Sequence, residues 1–101
     1  MSILHTVNKS PFEKRALSSC IAHVSDGDAI LMIEDGVYGA MPGTAIASQL
    51  EDKNNISIYA LGPDLDARGL GEAKLAGKIT VVDYKGFVEL SVKHDMTQSW
   101  L

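Results

Sequence analysis

The run Ala29-Ile30-Leu31-Met32-Ile33 decides the fold. It is apolar without alternation, so a strand formed here is covered on both of its faces. Asp26-Gly27-Asp28 before it and Glu34-Asp35-Gly36 after it are turn sequences, and they hold the run to strand length. A strand buried on both sides belongs to a sheet with helices above and below it. Outward from this run, Ile3 to Val7, Ile56 to Leu61 and Ile79 to Val82 read as further short strands.

Helical stretches separate these strands. Ser10 is placed as an N-cap with Pro11 at the first helical position and Glu13 three residues on, the pattern of a capping box, which predicts a helix from Pro11 to Val24. Pro42-Gly43 interrupts Val37 to Leu50, so a helical turn is expected first and then a helix from Thr44 to Glu51. Asp64 to Arg68 reads as a helical turn, with another over Glu72 to Ala76. A last helix runs from Tyr84 to Lys93 or beyond, followed by Met96, Trp100 and Leu101. Strands joined by helices pair in parallel through right-handed crossovers. The expectation is one domain over residues 1–101: a three-layer α/β/α fold with a mainly parallel sheet of about four or five strands. Strand order is not written in a single sequence.

Composition narrows the function. Of the 101 residues, 46% are hydrophobic, enough for one core with apolar surface left over for a partner subunit. The formal net charge is −4 and no basic run exceeds Lys14-Arg15, which disfavours a nucleic-acid face and a basic membrane-surface helix. The start of the chain lacks the pattern of a secretory signal, and no apolar run reaches membrane-spanning length. A lone cysteine forms no internal disulfide, in keeping with a reducing compartment. A cytoplasmic location is therefore expected.

In an open parallel sheet, ligands gather beyond the carboxyl ends of the strands. Asn8-Lys9-Ser10, Glu34-Asp35-Gly36, Gly62-Pro63-Asp64 and Asp83-Tyr84 land there, and turn and cap chemistry alone accounts for each of them. Asp64 is positioned to cap its own turn and to pair with Arg68 at i+4 spacing. Arg68-Gly69-Leu70-Gly71 lacks the glycine spacing of a nucleotide loop. His5, His23 and His94 show no paired spacing, so no metal site and no cofactor are expected. Ser18 and Ser19 lie mid-helix and not on a nucleophile elbow.

That leaves Cys20, whose thiol can attack or carry sulfur as a persulfide (R–S–SH). On a helical wheel it falls inside the apolar arc of Ala16, Leu17, Ile21 and Val24, drawn with Phe12 as origin. The position suits a small buried hydrophobe; a stripe facing a partner subunit would leave the thiol reachable.

Across its whole length the chain resembles the DsrH/TusB family. The resemblance rests on Met1-Ser2-Ile3-Leu4-His5-Thr6-Val7-Asn8-Lys9-Ser10-Pro11-Phe12, Glu34-Asp35-Gly36-Val37-Tyr38 and Leu61-Gly62-Pro63-Asp64-Leu65-Asp66-Ala67-Arg68-Gly69. It extends through Val82-Asp83-Tyr84 and Gly86-Phe87-Val88 to Trp100-Leu101. Cys20 matches a first-helix cysteine of the DsrH branch that many TusB sequences lack. The resemblance implies a cytoplasmic sulfur-relay subunit in a heterohexamer with DsrE-like and DsrF-like subunits. Such a complex passes sulfur towards a DsrC/TusE-like acceptor, without direct contact to nucleic acid or membrane. The resemblance is closer to the DsrH branch than to TusB, so the first expectation is a relay that serves sulfur oxidation; the alternative is the TusB branch, whose relay serves 2-thiolation of the tRNA wobble uridine. The resemblance also implies that the main sulfur-accepting cysteine lies on the DsrE/TusD-type subunit. Three roles follow: Cys20 as a persulfide carrier, a docking subunit whose partner carries the sulfur, or a small-molecule-binding α/β module using the strand-end carboxylates.

Overall fold

The apolar run becomes β2 (Ala29–Met32), the central strand of a five-stranded parallel sheet, in a computed structural model that describes residues 2–72 and 74–101. The other strands are β1 (Ile3–Val7), β3 (Ser57–Leu61), β4 (Ile79–Val82) and β5 (Met96–Trp100), in the order β4-β3-β2-β1-β5. All four pairings are parallel, with Thr6 opposite Leu31, Leu31 opposite Tyr59, Tyr59 opposite Thr80, and Thr6 also opposite Ser99.

The helices are α1 (Ala16–His23), α2 (Ala45–Glu51), α3 (Gly62–Ala67) and α4 (Tyr84–Lys93), with a 3-10 helix over Glu34–Ala40. From β1 to β4 the chain steps one strand at a time in one direction, so right-handed crossovers put α1, α2 and α3 on one face. Leu17, Cys20 and Ile21 of α1, Leu50 of α2 and Leu65 of α3 accordingly pack with Val7, Ile30, Met32, Ile58 and Ala60. The step from β4 to β5 runs back across the whole sheet, and the same handedness puts α4 on the opposite face. There Leu90 and Phe87 cover Leu4, Ala29, Leu31, Ile33, Tyr59 and Val82. The three-layer architecture is as expected, with the second outer layer made of one ten-residue helix.

The first helix departs from expectation. Ser10 does not start it: its hydroxyl accepts from Phe12 N–H at 3.2 Å, and its carbonyl accepts from Glu13 and Lys14 N–H at 3.1 and 3.0 Å, closing a separate turn. Phe12 is 64% exposed, and Glu13, Lys14 and Arg15 are exposed too, so these four residues bring no apolar side chain to the core. Continuous helix appears only at Ala16, where Leu17, Cys20 and Ile21 reach the core, because short helices are held mainly by packing. The helical turn expected over residues 72–76 includes Ala73, outside the described residues; Lys74 to Ala76 are irregular, and Ala76 N–H donates to the Ala40 carbonyl. Thr44 and Asp83 cap α2 and α4 as residue type suggests, accepting from Ala47 N–H at 3.0 Å and Gly86 N–H at 2.8 Å.

Candidate functional site

Cys20 occupies the middle of α1 and faces the sheet with 0% of its surface exposed. Burial, followed by the negative charge of Asp28, pushes its thiol up to about 12. The wheel placed Cys20 within the buried arc correctly, although Phe12, the chosen origin, lies outside both the helix and the core.

Beneath α1 the sheet carries a polar relay inside otherwise apolar surroundings. Asp28, just ahead of β2 and 4% exposed, receives three hydrogen bonds. Its Oδ1 accepts from Ile3 N–H at 3.0 Å, and its Oδ2 accepts from Ser25 N–H at 3.1 Å and from His5 Nε2 at 2.9 Å. Trp100 Nε1–H donates to His5 Nδ1 at 3.1 Å. An indole nitrogen only donates, so Nδ1 is the acceptor and the His5 proton sits on Nε2, aimed at the carboxylate. Burial alone drives the Asp28 carboxyl up. The hydrogen bonds from His5, Ser25 and Ile3, with the attraction of the imidazole, outweigh it and hold the group below the usual carboxylate value. The second histidine of this face, His23, lies with its ring 5.4 Å from that of Trp100 and is paired with the Ser19 carbonyl through Nδ1 at 2.8 Å. The relay thus ties β1, β2 and β5 together.

At the carboxyl ends of the strands the structure joins two of the four expected segments. Asp64 accepts from Glu34 N–H at 2.6 Å, so it caps the 3-10 helix and not its own turn. Arg68 places Nε and Nη2 on Asp35 Oδ1, each at 2.9 Å, while its Nη1 stands 4.0 Å from Asp64 Oδ1 and donates to the Asp64 carbonyl at 3.1 Å. The expected i+4 pair is therefore secondary to Asp35, because the 3-10 helix and α3 lie side by side and the guanidinium bridges them. Gly36 is required here: a Cβ at this residue would strike the Val7 carbonyl. Asn8 is half-buried, with Oδ1 shielded and unpaired. The charges at this edge are spent largely on one another.

Asp83 and Tyr84 stand apart. Adjacent strands β3 and β4 are followed by helices on opposite faces, and such a divergence opens a crevice. Gly62, Pro63, Asp66, Val81, Val82, Asp83 and Gly86 line it as an open groove of about 620 Å³. Its ionisable side chains are the carboxylates of Asp66 and Asp83, the second engaged as the α4 cap. Among the described residues, no three His, Cys, Asp or Glu side chains converge to hold a metal ion.

The family profile described as DsrH like protein matches residues 9–97. The chain belongs to the DsrH/TusB family. Relatives named Protein TusB support this along the full length: one from Enterobacter sp. (strain 638) is 39% identical over 97% of the chain and 100% of that protein. One from Escherichia coli (strain K12) is 36% identical with the same coverage, and one from Pectobacterium parmentieri is 34% identical. The fold of this DsrH/TusB chain recurs in the ychN protein of E. coli, with a TM-score of 0.84, 15% identity and 99% of each chain covered. It recurs also in Tm0979 of Thermotoga maritima, with a TM-score of 0.65 and 22% identity over 92% of this chain and 93% of that one. Among the described residues, no helix of the DsrH/TusB chain is long and apolar enough to cross a membrane.

Sequence reasoning missed the relay. It treated His5 only as a metal-ligand candidate and left Trp100 in an unassigned tail. The signal available was a histidine in the middle of an apolar strand, which has to find a partner once buried.

Proposed function

We propose that the chain is a TusB-type subunit of a cytoplasmic sulfur-relay complex serving 2-thiolation of the tRNA wobble uridine. In this reading it shapes and docks the assembly while a partner carries the sulfur. Its partners are related α/β subunits of DsrE and DsrF (TusD and TusC) type, and the sulfur leaves on a DsrC/TusE-like acceptor. The single DsrH-like domain of residues 1–101 supplies surfaces to that assembly and does not itself turn over sulfur. What carries the reading is the combination of full-length similarity to TusB proteins with a fully buried Cys20.

Sulfane transfer needs an acceptor thiolate R′–S⁻ that attacks the outer sulfur of R–S–SH, giving R′–S–SH and the departing thiolate R–S⁻. A thiol at about 12 is ionised in only about one molecule in 10⁵ at pH 7. Burial also denies it contact with a partner's persulfide. These properties argue against Cys20 as a carrier in either branch, and the likeness to full-length TusB proteins favours tRNA thiolation over sulfur oxidation.

The test is complementation of a strain lacking its own TusB, with tRNA 2-thiouridine quantified by mass spectrometry. The chain and its Cys20→Ala variant should restore thiolation to similar levels. Failure of the unaltered chain, with its partner subunits co-supplied, would reject the TusB-type assignment. Failure of Cys20→Ala alone, with the variant folded, would reassign Cys20 as a carrier.

A further inference from the structure

Strands β4 and β5 are the outer strands of the sheet, so each keeps one backbone edge without a neighbour. β5 presents Thr97, Gln98 and Ser99, exposed and polar, which turn its edge towards water. β4 differs. Val81 is 52% exposed, and among the described residues no hydrogen bond outside the β3 ladder reaches Thr80, Val81 or Val82. Charges, prolines and bulges usually blunt such an edge, and Ile79 to Val82 hold no charge and no proline. Shortness is the guard that remains, and four residues are enough to pair with an added strand.

The crevice between α3 and α4 runs beside this edge, and Val81 forms part of its wall. Strand alternation puts Val81 on the same face as Ile79, the face packed against α3, yet the six residues of α3 leave it uncovered. Two glycines let both helix starts lie close on β4 with no side chain over it: a Cβ at Gly62 would stand 3.1 Å from a Val81 methyl, and one at Gly86 2.9 Å from Val82 Cβ. The charge of the groove has one sign. Asp66 is exposed, and among the described residues its carboxylate joins no ion pair. Asp83 spends Oδ1 on Gly86 N–H, and the cation at the end of α3, Arg68, is turned onto Asp35. An open groove flush with an unpaired strand fits an extended chain better than an enclosed small molecule, and the two carboxylates call for a cationic side chain on that chain.

We infer that the free edge of β4 takes an added strand from a partner protein, an extended segment carrying an apolar residue and a lysine or arginine two positions apart. Its backbone pairs with β4 about 4.8 Å away, and its apolar side chain lies on Val81. The basic residue, about 6.6 Å further along on the same face, reaches between Asp66 and Asp83. This contact goes beyond the subunit role proposed above and stands or falls without it.

The probe is a fluorescein-labelled peptide, Ser-Thr-Val-Thr-Arg-Thr-Ser, titrated with the purified full-length chain and followed by anisotropy. Saturable binding is expected below about 1 mM, with the amides of Thr80 to Val82 gaining protection from hydrogen exchange as the new strand pairs. Replacing the peptide's arginine by glutamate should weaken binding about tenfold or more, a comparison that needs no change to the protein. Asp66→Asn with Asp83→Asn should produce a loss of the same order, since asparagine keeps the α4 cap and removes both charges. Val81→Lys, at a solvent-facing residue, should abolish binding with circular dichroism unchanged. No saturable binding, equal affinity for the glutamate peptide, or binding without protection of the β4 amides overturns the inference. Free arginine binding as tightly as the peptide would also overturn it and assign the groove to a small cation. Protection of Thr80 to Val82 that rises with the chain's own concentration, without peptide, would overturn it in favour of a second copy.

Discussion

Replacing Asp28 by Asn tests the relay beneath α1 with almost no change in shape. The carboxylate accepts from three donors, Ile3 N–H on Oδ1 and Ser25 N–H and His5 Nε2–H on Oδ2. An amide offers one acceptor oxygen and one NH₂ donor, so either orientation sets a donor against a donor. If the NH₂ faces His5, the ring can accept on Nε2 only by moving its proton to Nδ1, where it meets the indole N–H of Trp100. If the amide turns over, the conflict falls on Ile3 instead. Losing a charge-assisted bond at a site 4% exposed and leaving a donor unmatched costs about 3–5 kcal/mol. That is a large part of the ~5–15 kcal/mol expected for a domain of this size. Because the folded Asp28 carboxyl lies below its usual value, its contribution is complete above the unfolded value and drains away as pH falls through the folded one. Asparagine does not titrate, so the gap between the two proteins should stay constant from about pH 8 to pH 5 and narrow below about pH 4. Urea unfolding followed by fluorescence of Trp100, the single tryptophan, reads both quantities from inside the relay. A variant within about 1 kcal/mol of the parent at pH 7, or a gap that widens in acid, would refute the reasoning.

Three further outcomes follow from the same geometry. Cys20 should resist a disulfide exchange reagent in the native protein at pH 7.5 and react at once in denaturant; labelling of the native chain at the rate of a free thiol would contradict its burial. Gly36→Ala forces a methyl into the Val7 carbonyl and should lower stability by about 3 kcal/mol or more, seen as a drop in the urea midpoint, with an unchanged midpoint as the contrary result. Arg68→Ala removes a bridge to a carboxylate that is 56% exposed and should cost no more than about 1 kcal/mol; a loss above about 2 kcal/mol would show that the strand-end cluster holds the fold more tightly than its exposure implies.

The layers of the fold were legible because the residues that make them are locally patterned. Ala29 to Ile33 is too apolar to be anything but covered on both faces, and Asp83 and Thr44 announce their helices by residue type. β5 was not legible for a physical reason. Met96 to Gln98 and Ser99 are exposed, so the strand carries no apolar alternation, and it exists because β1 offers it a free edge and Trp100 an anchor. The same holds for the relay: His5 and Trp100 are 95 residues apart, and only the strand order makes them neighbours. Cys20, by contrast, could be assigned to the buried side from the spacing of Leu17 and Ile21, since all three belong to one helix face.

The placement of β5 beside β1 has a consequence for how the molecule is made. Ile3 pairs with Met96, so the two strands are synthesised 93 residues apart, and β1 leaves the ribosome long before its second neighbour exists. Sheet growth can proceed vectorially from β1 through β4 as the chain emerges. The last step is different: it must close the longest loop in the protein, and that closure seats Trp100 on His5. Until then the β1 edge is open to any strand that reaches it. The β1 edge is thus exposed to mispairing until β5 docks, and the indole of Trp100 is the side chain that ends that interval.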